Sequence, residues 1–334
     1  MGCAPAVLSG LRWVGALLII AAGAGTACAA DCAPAATLVD RAICADPQAR
    51  KAEEELDRAY AALAGRLGET QRAALQGDQA VWLERRQRCT NYREDTEIVD
   101  DVCVVRETGE RIRLLRGEPE FSGPDAPRFL PVFYYRKAPE VLISMAWPNA
   151  DGPGMAPFNE LLNKSTAEMK VLPGVVDGPY SLDEVPALEM VERYRIQHAS
   201  ARLISVIFSG YEDTGGAHAF GSYYSVNYLP VEGRPLCLDD VVDPEALARL
   251  VPICRADILA ERERRGDGPW EAEPAVRDGF ISGAIIEIGG WSFDRDGAVI
   301  RYNYDSYGRD GYDCRIPWAE LKAVAKMNAP LPFE

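Results

Sequence analysis

The chain has 334 residues, 48% of them hydrophobic, and a formal net charge of -15. That length and apolar share suffice for buried cores and about two domains. The acidity excludes nucleic acid and anionic membrane surfaces as natural partners and favours a basic partner or simple solubility. Two histidines and the lack of any Cys-x-x-Cys pair argue against a zinc site, and no cofactor is expected.

Residues 1–29 read as a secretory signal peptide. Arg12 is the single charge there, the apolar run Trp13 to Ala22 follows it, and Ala27-Cys28-Ala29 offers a small-residue cleavage site. The run is shorter than the roughly 20 residues that a membrane span needs, and no second run of that kind follows, so no transmembrane segment is expected. The chain is therefore expected in the periplasm or cell envelope. Gly25-Thr26-Ala27-Cys28 loosely resembles a lipoprotein signal that would lipidate Cys28, with ordinary cleavage after Ala29 or Ala30 the preferred reading.

Residues 31–117 predict a small disulfide-linked helical bundle. They carry 14 basic and 17 acidic residues, so most of the net acidity lies beyond them. Asp46-Pro47 supplies a cap and a proline for the first helical position. Leu56, Tyr60, Leu63 and Leu67 then form an apolar stripe that Gly68 to Thr70 interrupts. A second stripe runs Leu75, Gln79, Trp82, Arg86, Cys89, with long polar side chains whose stems can pack. A third runs Ile98, Val102, Val105 and resumes at Ile112 and Leu115. Short connections make these helices antiparallel neighbours. Ion pairs from the arginines at 85–88 to Glu53–Glu55 or Asp57 are expected at the surface, where each contributes little.

Seven cysteines remain after the signal: Cys32, Cys44, Cys89, Cys103, Cys237, Cys254 and Cys314. In an exported chain they are expected to form disulfides. Among the three connectivities of the first four, antiparallel helices favour Cys44 with Cys89 and Cys32 with Cys103. The odd cysteine is buried, reactive or paired with another chain.

The stretch 118–131 is dense in glycine and proline and reads as a linker. Residues 132–334 predict an α+β domain with an antiparallel sheet. Strands are expected at 141–145, 191–196, 203–208, 222–228, 285–288 and 298–304, with a hairpin turn at Asp296-Gly297. Helices are expected near 157–170, 244–263 and 318–326. Asp294, Asp296 and Gly297 faintly echo a calcium loop whose later ligands are missing, and no metal is expected.

Two loops are candidate partner-binding surfaces. Tyr211, Glu212, Asp213, Gly215, Gly216 and His218 cluster in the first, where the paired glycines permit backbone shapes that other residues avoid. His218 oriented by Asp213 would be a general base, but no nucleophile motif accompanies it, so no catalytic residue is assigned. The second surrounds Tyr304, Asp305 and Tyr307, within a run of tyrosines from Tyr302 to Tyr312 that suits recognition. A structural turn with a satisfied histidine is the plain alternative for the first, and core packing for the second.

The pattern Cys32, Ile43 to Asp46, Leu56, Asp57, Tyr60, Gln79, Trp82, Leu83, Arg85, Arg86, Cys89 and Cys103 resembles the N-terminal domain of the LprI-type lysozyme inhibitors over about 31–117. Thr214-Gly215-Gly216-Ala217-His218, with the segment 232–242, resembles the extracellular lysozyme-binding domain of RsiV-type anti-sigma factors over roughly 130–330. The three later cysteines depart from that domain. Both resemblances imply a noncatalytic envelope protein whose partner is lysozyme or another basic cell-wall hydrolase. Inhibition would then come from occluding the enzyme's cleft. The alternatives are a module that binds peptidoglycan or a cell-wall enzyme, and a hydrolase centred on His218.

Overall fold

The computed structural model describes residue 32 and residues 37–93, 96–170, 188–215, 218–266, 274–301 and 312–332. The signal segment read at 1–29 lies outside them. Four helices come first: α1 (Leu38–Ala45), α2 (Pro47–Arg66), α3 (Glu69–Arg86) and α4 (Asp101–Arg116), the last two separated by β1 (Thr90–Arg93) and β2 (Thr96–Val99). Thr37, Asp46 and Asp100 cap α1, α2 and α4 by accepting backbone N–H groups of the first turn, each worth about 1 kcal/mol. Gly117 ends α4 in the left-handed conformation at φ 64°, as a C-terminal glycine does at no steric cost.

A seven-stranded sheet follows: β3 (Phe121–Ser122), β4 (Arg128–Ala138), β5 (Val141–Asp151), β6 (Leu188–Ala199), β7 (Ile204–Asp213), β8 (Phe220–Leu229) and β9 (Arg234–Pro235). Its order is β4-β5-β6-β7-β8-β9, with β3 pairing beside β6. Neighbours are antiparallel except β5 with β6 and β3 with β6. Helix α5 (Ala156–Lys170) lies between β5 and β6 in the chain, as a parallel connection requires a crossover. The last part holds α6 (Leu238–Val241), α7 (Pro244–Arg265), α8 (Pro274–Ile286) and α9 (Trp318–Val324), with a three-stranded sheet of β10 (Trp291–Phe293), β11 (Gly297–Arg301) and β12 (Asp313–Pro317). It encloses its own apolar core around Trp291, Phe293, Leu250 and Ile316. The fold class is as the sequence implies: a disulfide-linked helical region, then sheet-rich parts with antiparallel strands.

Several elements differ from expectation. Residues 285–288 end α8 and enter a 3-10 turn rather than form a strand. The third apolar stripe is split, because 96–99 is strand and α4 buries Val104, Ile112 and Leu115 while Val102 and Val105 stay exposed. The disulfides are also corrected. Cys32 bonds Cys44 and Cys89 bonds Cys103, at sequence separations of 12 and 14, instead of the long-range pairs inferred from antiparallel helices. The β1–β2 hairpin explains the second bond, since it folds the chain back and brings Cys103 to Cys89 without any help from α1. Cys254 and Cys314 tie α7 to β12, and Cys237 is free and exposed. The expected turn at Asp296-Gly297 forms, and the Asp294 carboxylate that faintly echoed a calcium loop accepts the N–H groups of Asp296 and Gly297.

Helices α3 and α4 pack on the sheet in one continuous core that joins Leu63, Leu75 and Leu115 to Phe133, Met145 and Tyr194. Gly77 allows the close approach, because a Cβ there would lie 2.3 Å from the Tyr135 ring. Beside it the Gln71 amide bonds both the N–H and the carbonyl of Phe133 on β4. At the centre sits the buried Asp78 carboxylate. It receives Arg111 from α4 at 2.6 Å, Arg193 from β6 at 2.8 Å and the Ser144 hydroxyl from β5 at 2.7 Å. Burial alone would raise the Asp78 pKa, but Arg193, Arg111 and Ser144 outweigh it and hold the carboxyl below its usual range. Arg86 is buried with Glu53 and Thr108, where the sequence suggested a surface pair. Further out, Arg85 meets Glu189 and Arg195 meets Glu110.

Replacing Asp78 with Asn strands two guanidinium groups in the interior and should cost about 3–5 kcal/mol of unfolding free energy, measured by urea denaturation. Glu192 gives a second check. Its burial raises it from 4.5 to about 7, against the opposing Tyr224 hydrogen bond and Arg193. A folded-state carboxyl above its unfolded value binds a proton that the unfolded chain has lost, so stability should fall as pH rises from 4.5 to about 7. Glu192→Gln should flatten that slope in pH-dependent thermal melts.

Candidate functional site

The hairpin β1–β2 carries side chains that no other described residue covers. Its register pairs Asn91 with Ile98 and Tyr92 with Glu97, so Tyr92 and Ile98 point to opposite faces of the ribbon. Tyr92 is 77% exposed and Ile98 40%, and Val102 and Val105 at the start of α4 are exposed beside them. An isolated two-stranded hairpin is marginal in water. Here the Cys89–Cys103 bond closes its base, Val99 packs beside Val39 and Ile43, and the Asn91 amide donates to Asp100 at 3.1 Å. Residues 90–101 hold five acidic side chains and one basic one. The result is a stapled, acidic ribbon with apolar side chains on both faces.

The loop between β7 and β8 reaches the same part of the surface. Tyr211 sits opposite Val191 and Gly221, and these residues line a depression of about 440 Å³ with Cys89 and Cys103. Arg85 lies over the Tyr211 ring at 4.2 Å and Arg88 at 5.8 Å. Gly215 has φ 74°, the left-handed backbone that favours glycine, and its N–H is accepted by the Asp213 carboxylate at 2.9 Å. Glu212 pairs across to Phe220, and His218 is exposed in the loop. Thus Tyr211, Glu212 and Asp213 at the end of β7 lie with Gly215 and His218 of the following loop, and Tyr211 lines the depression at the hairpin's base.

The second candidate cluster behaves differently. Its Tyr304, Asp305 and Tyr307 lie outside the described residues, as does Gly216 of the first cluster. Tyr312, the last tyrosine of that run, is a core residue whose hydroxyl accepts from Arg262 at 2.9 Å. Sequence reasoning missed the hairpin because its apolar residues fit a helical stripe read through 98–105. The Thr-x-Tyr and Thr-x-Ile-Val pieces flanking Arg93 to Asp95 were the available strand signal.

Another hollow, of about 740 Å³, holds His198 beside Phe121, Arg202 and Trp318. Burial lowers the His198 ring to about 4, so it is neutral at physiological pH. Its Nε2 lies 3.3 Å from the Ser200 hydroxyl, which also bonds the Leu203 backbone. Those bonds shape the β6–β7 turn. Among the described residues no cluster of three or more His, Cys, Asp and Glu could hold a metal ion, and no helix is long and apolar enough to cross a membrane.

One comparison bears on this surface. Residues 28–115, which include the whole hairpin and both of its flanking disulfides, match the family model described as lysozyme inhibitor LprI. Among solved structures the chain is similar to a DUF3298 family member from Bacteroides fragilis, with 16% identity, 61% of this chain and 95% of that chain covered, and a TM-score of 0.44. It is also similar to a DUF3298 family protein from Pseudomonas aeruginosa, with 16% identity, 62% and 97% coverage, and a TM-score of 0.38. No curated protein matches the chain.

The covalent frame of this surface can be checked directly. Non-reducing peptide mapping should recover Cys32 linked to Cys44 and Cys89 linked to Cys103. Without denaturant, a maleimide should label Cys237 while Cys254 and Cys314 stay protected.

Proposed function

We propose that this is an exported envelope protein that binds lysozyme, or a similar basic cell-wall hydrolase, and inhibits it by filling its substrate cleft. The observation that carries the reading is the match of residues 28–115 to the lysozyme-inhibitor family model. Within that stretch the β1–β2 hairpin is the element suited to enter a cleft, since it has an apolar residue on each face and a disulfide at its base. A ribbon held in shape before binding loses little conformational entropy when it docks. Tyr211 to His218 would form the second wall of the contact, next to the hairpin's base. The net charge of -15 complements a basic enzyme and speeds encounter. Occlusion requires complementarity only, so the proposal assigns no catalytic residue and no cofactor.

The test is titration of the purified, oxidised mature protein into lysozyme lysing a cell-wall suspension. Stoichiometric inhibition at low salt, weakening as salt rises, is the expected result. Tyr92→Ala with Ile98→Ala should weaken binding by about tenfold or more, as loss of exposed interface anchors does. Cys89→Ser with Cys103→Ser should weaken inhibition similarly. It should also cost about 2–3 kcal/mol through the freed loop while the sheet core persists by circular dichroism. No complex at micromolar concentration would remove the lysozyme reading, and unchanged inhibition by the hairpin variants would move the contact elsewhere.

A further inference from the structure

Between α3, α4 and the β6–β8 face runs a groove whose charge is opposite to that of the molecule. It joins the depression at the hairpin base to a hollow of about 420 Å³ further along α4, with Trp82, Glu107, Arg193, Ser209 and Tyr223 common to both. Together the two are lined by seven arginines and two carboxylates, in a chain of net charge -15. The floor follows from strand register: Arg193 pairs with Ser209, and Ser209 with Tyr223, so these three side chains stand in one row across β6, β7 and β8. The α4 residues Arg106, Glu107 and Glu110 form the opposite wall.

The internal pairing leaves positive charge over. Arg111 and Arg193 share the single carboxylate of Asp78. Arg111 spends Nε on Gln79 and Nη1 on Asp78, and Arg193 spends Nη1 on Asp78 and on the Ser144 and Glu192 carbonyls. The Nη2 of each is buried with no hydrogen-bond partner, although Arg111 is only 2% exposed and Arg193 keeps 17% of its side chain open. Arg195 is held by Glu110, and Arg106, 58% exposed at the rim, pairs loosely with Glu107 at 3.5 Å. A buried guanidinium N–H left unpaired costs free energy, and a small turn of Arg193, which lines both hollows, would bring its Nη2 to an acceptor in the groove. The fork of an arginine suits the two oxygens of a carboxylate or a phosphate. The volume lies in the range that takes a small ligand, and Trp82 and Tyr223 offer flat apolar contact beside the charges.

We infer that this groove is a binding site for a small oxyanion-bearing ligand, a carboxylated sugar or a phosphate ester, held by Arg193 and Arg106 over the Tyr223 floor. The site adjoins the proposed lysozyme contact at Tyr211, but Arg193, Arg106 and Tyr223 are not residues of that contact, so either can fail without the other.

The experiment is isothermal titration of the full mature protein at low ionic strength with three probes. They are N-acetylmuramic acid, N-acetylglucosamine as the same sugar without the carboxylate, and inorganic phosphate. Saturable binding of N-acetylmuramic acid without N-acetylglucosamine would support a carboxylated-sugar site, and binding of phosphate alone would support a phosphate site. In either case Arg193→Met should weaken the interaction about tenfold or more. Arg106→Glu, at an exposed position that leaves the core intact, should weaken it about fivefold or more and serves if the Arg193 variant does not fold. The inference is overturned if no probe saturates below about 10 mM, if both sugars bind alike, or if the Arg106 variant binds as the unaltered protein does.

Discussion

The Asp78 carboxylate is the point on which the two structural layers meet. It lies on α3, yet its partners come from α4, β5 and β6, elements that are far apart in sequence. An ionised carboxylate in the interior is tolerable only when surrounded by donors, and here two guanidinium groups and a hydroxyl converge on it. The apolar contacts around it are non-directional and would permit the helices to slide on the sheet. The charge geometry fixes their position, with Gly77 setting how closely α3 approaches Tyr135.

That fixed position has consequences at the surface. Because α3 and α4 are held over β6, the end of α3 and the start of α4 bring the Cys89–Cys103 bond beside Tyr211 and the β7–β8 loop. The hairpin between those cysteines is therefore presented by a rigid support and not by a free helical bundle. The same placement makes the arginine groove, since Asp78 neutralises only one of the two guanidinium groups that bind it. One buried carboxylate thus both locks the layers and leaves the excess positive charge of the cleft between them.

Much of the local structure was legible in the sequence. Asp46-Pro47 starts α2, the stripe Leu75, Gln79, Trp82, Arg86, Cys89 is buried throughout, and Asp296-Gly297 turns a hairpin. These follow from capping, helical period and turn chemistry, which act over a few residues. The hairpin at 90–99 was not legible, because a four-residue strand and one helical turn place apolar residues at overlapping intervals. The disulfide partners failed for a related reason. Reading 98–105 as helix removed the fold-back that makes Cys103 a neighbour of Cys89, so the longer connectivity looked better.

The sequence by itself determined most of the longer elements, the cysteine inventory and the acidic balance, because each rests on neighbouring residues or on composition. Only the tertiary structure decided what the polar residues inside the stripes are for. Gln79 and Arg86 read as long side chains whose stems pack, and in the fold their heads too are buried and bonded, Arg86 to Glu53 and Thr108 and Gln79 to Arg111. Their partners are 22 to 33 residues away, and Arg193 reaches Asp78 from the other layer. Electrostatic pairing depends on distance in space, and no local pattern records which distant charge will arrive.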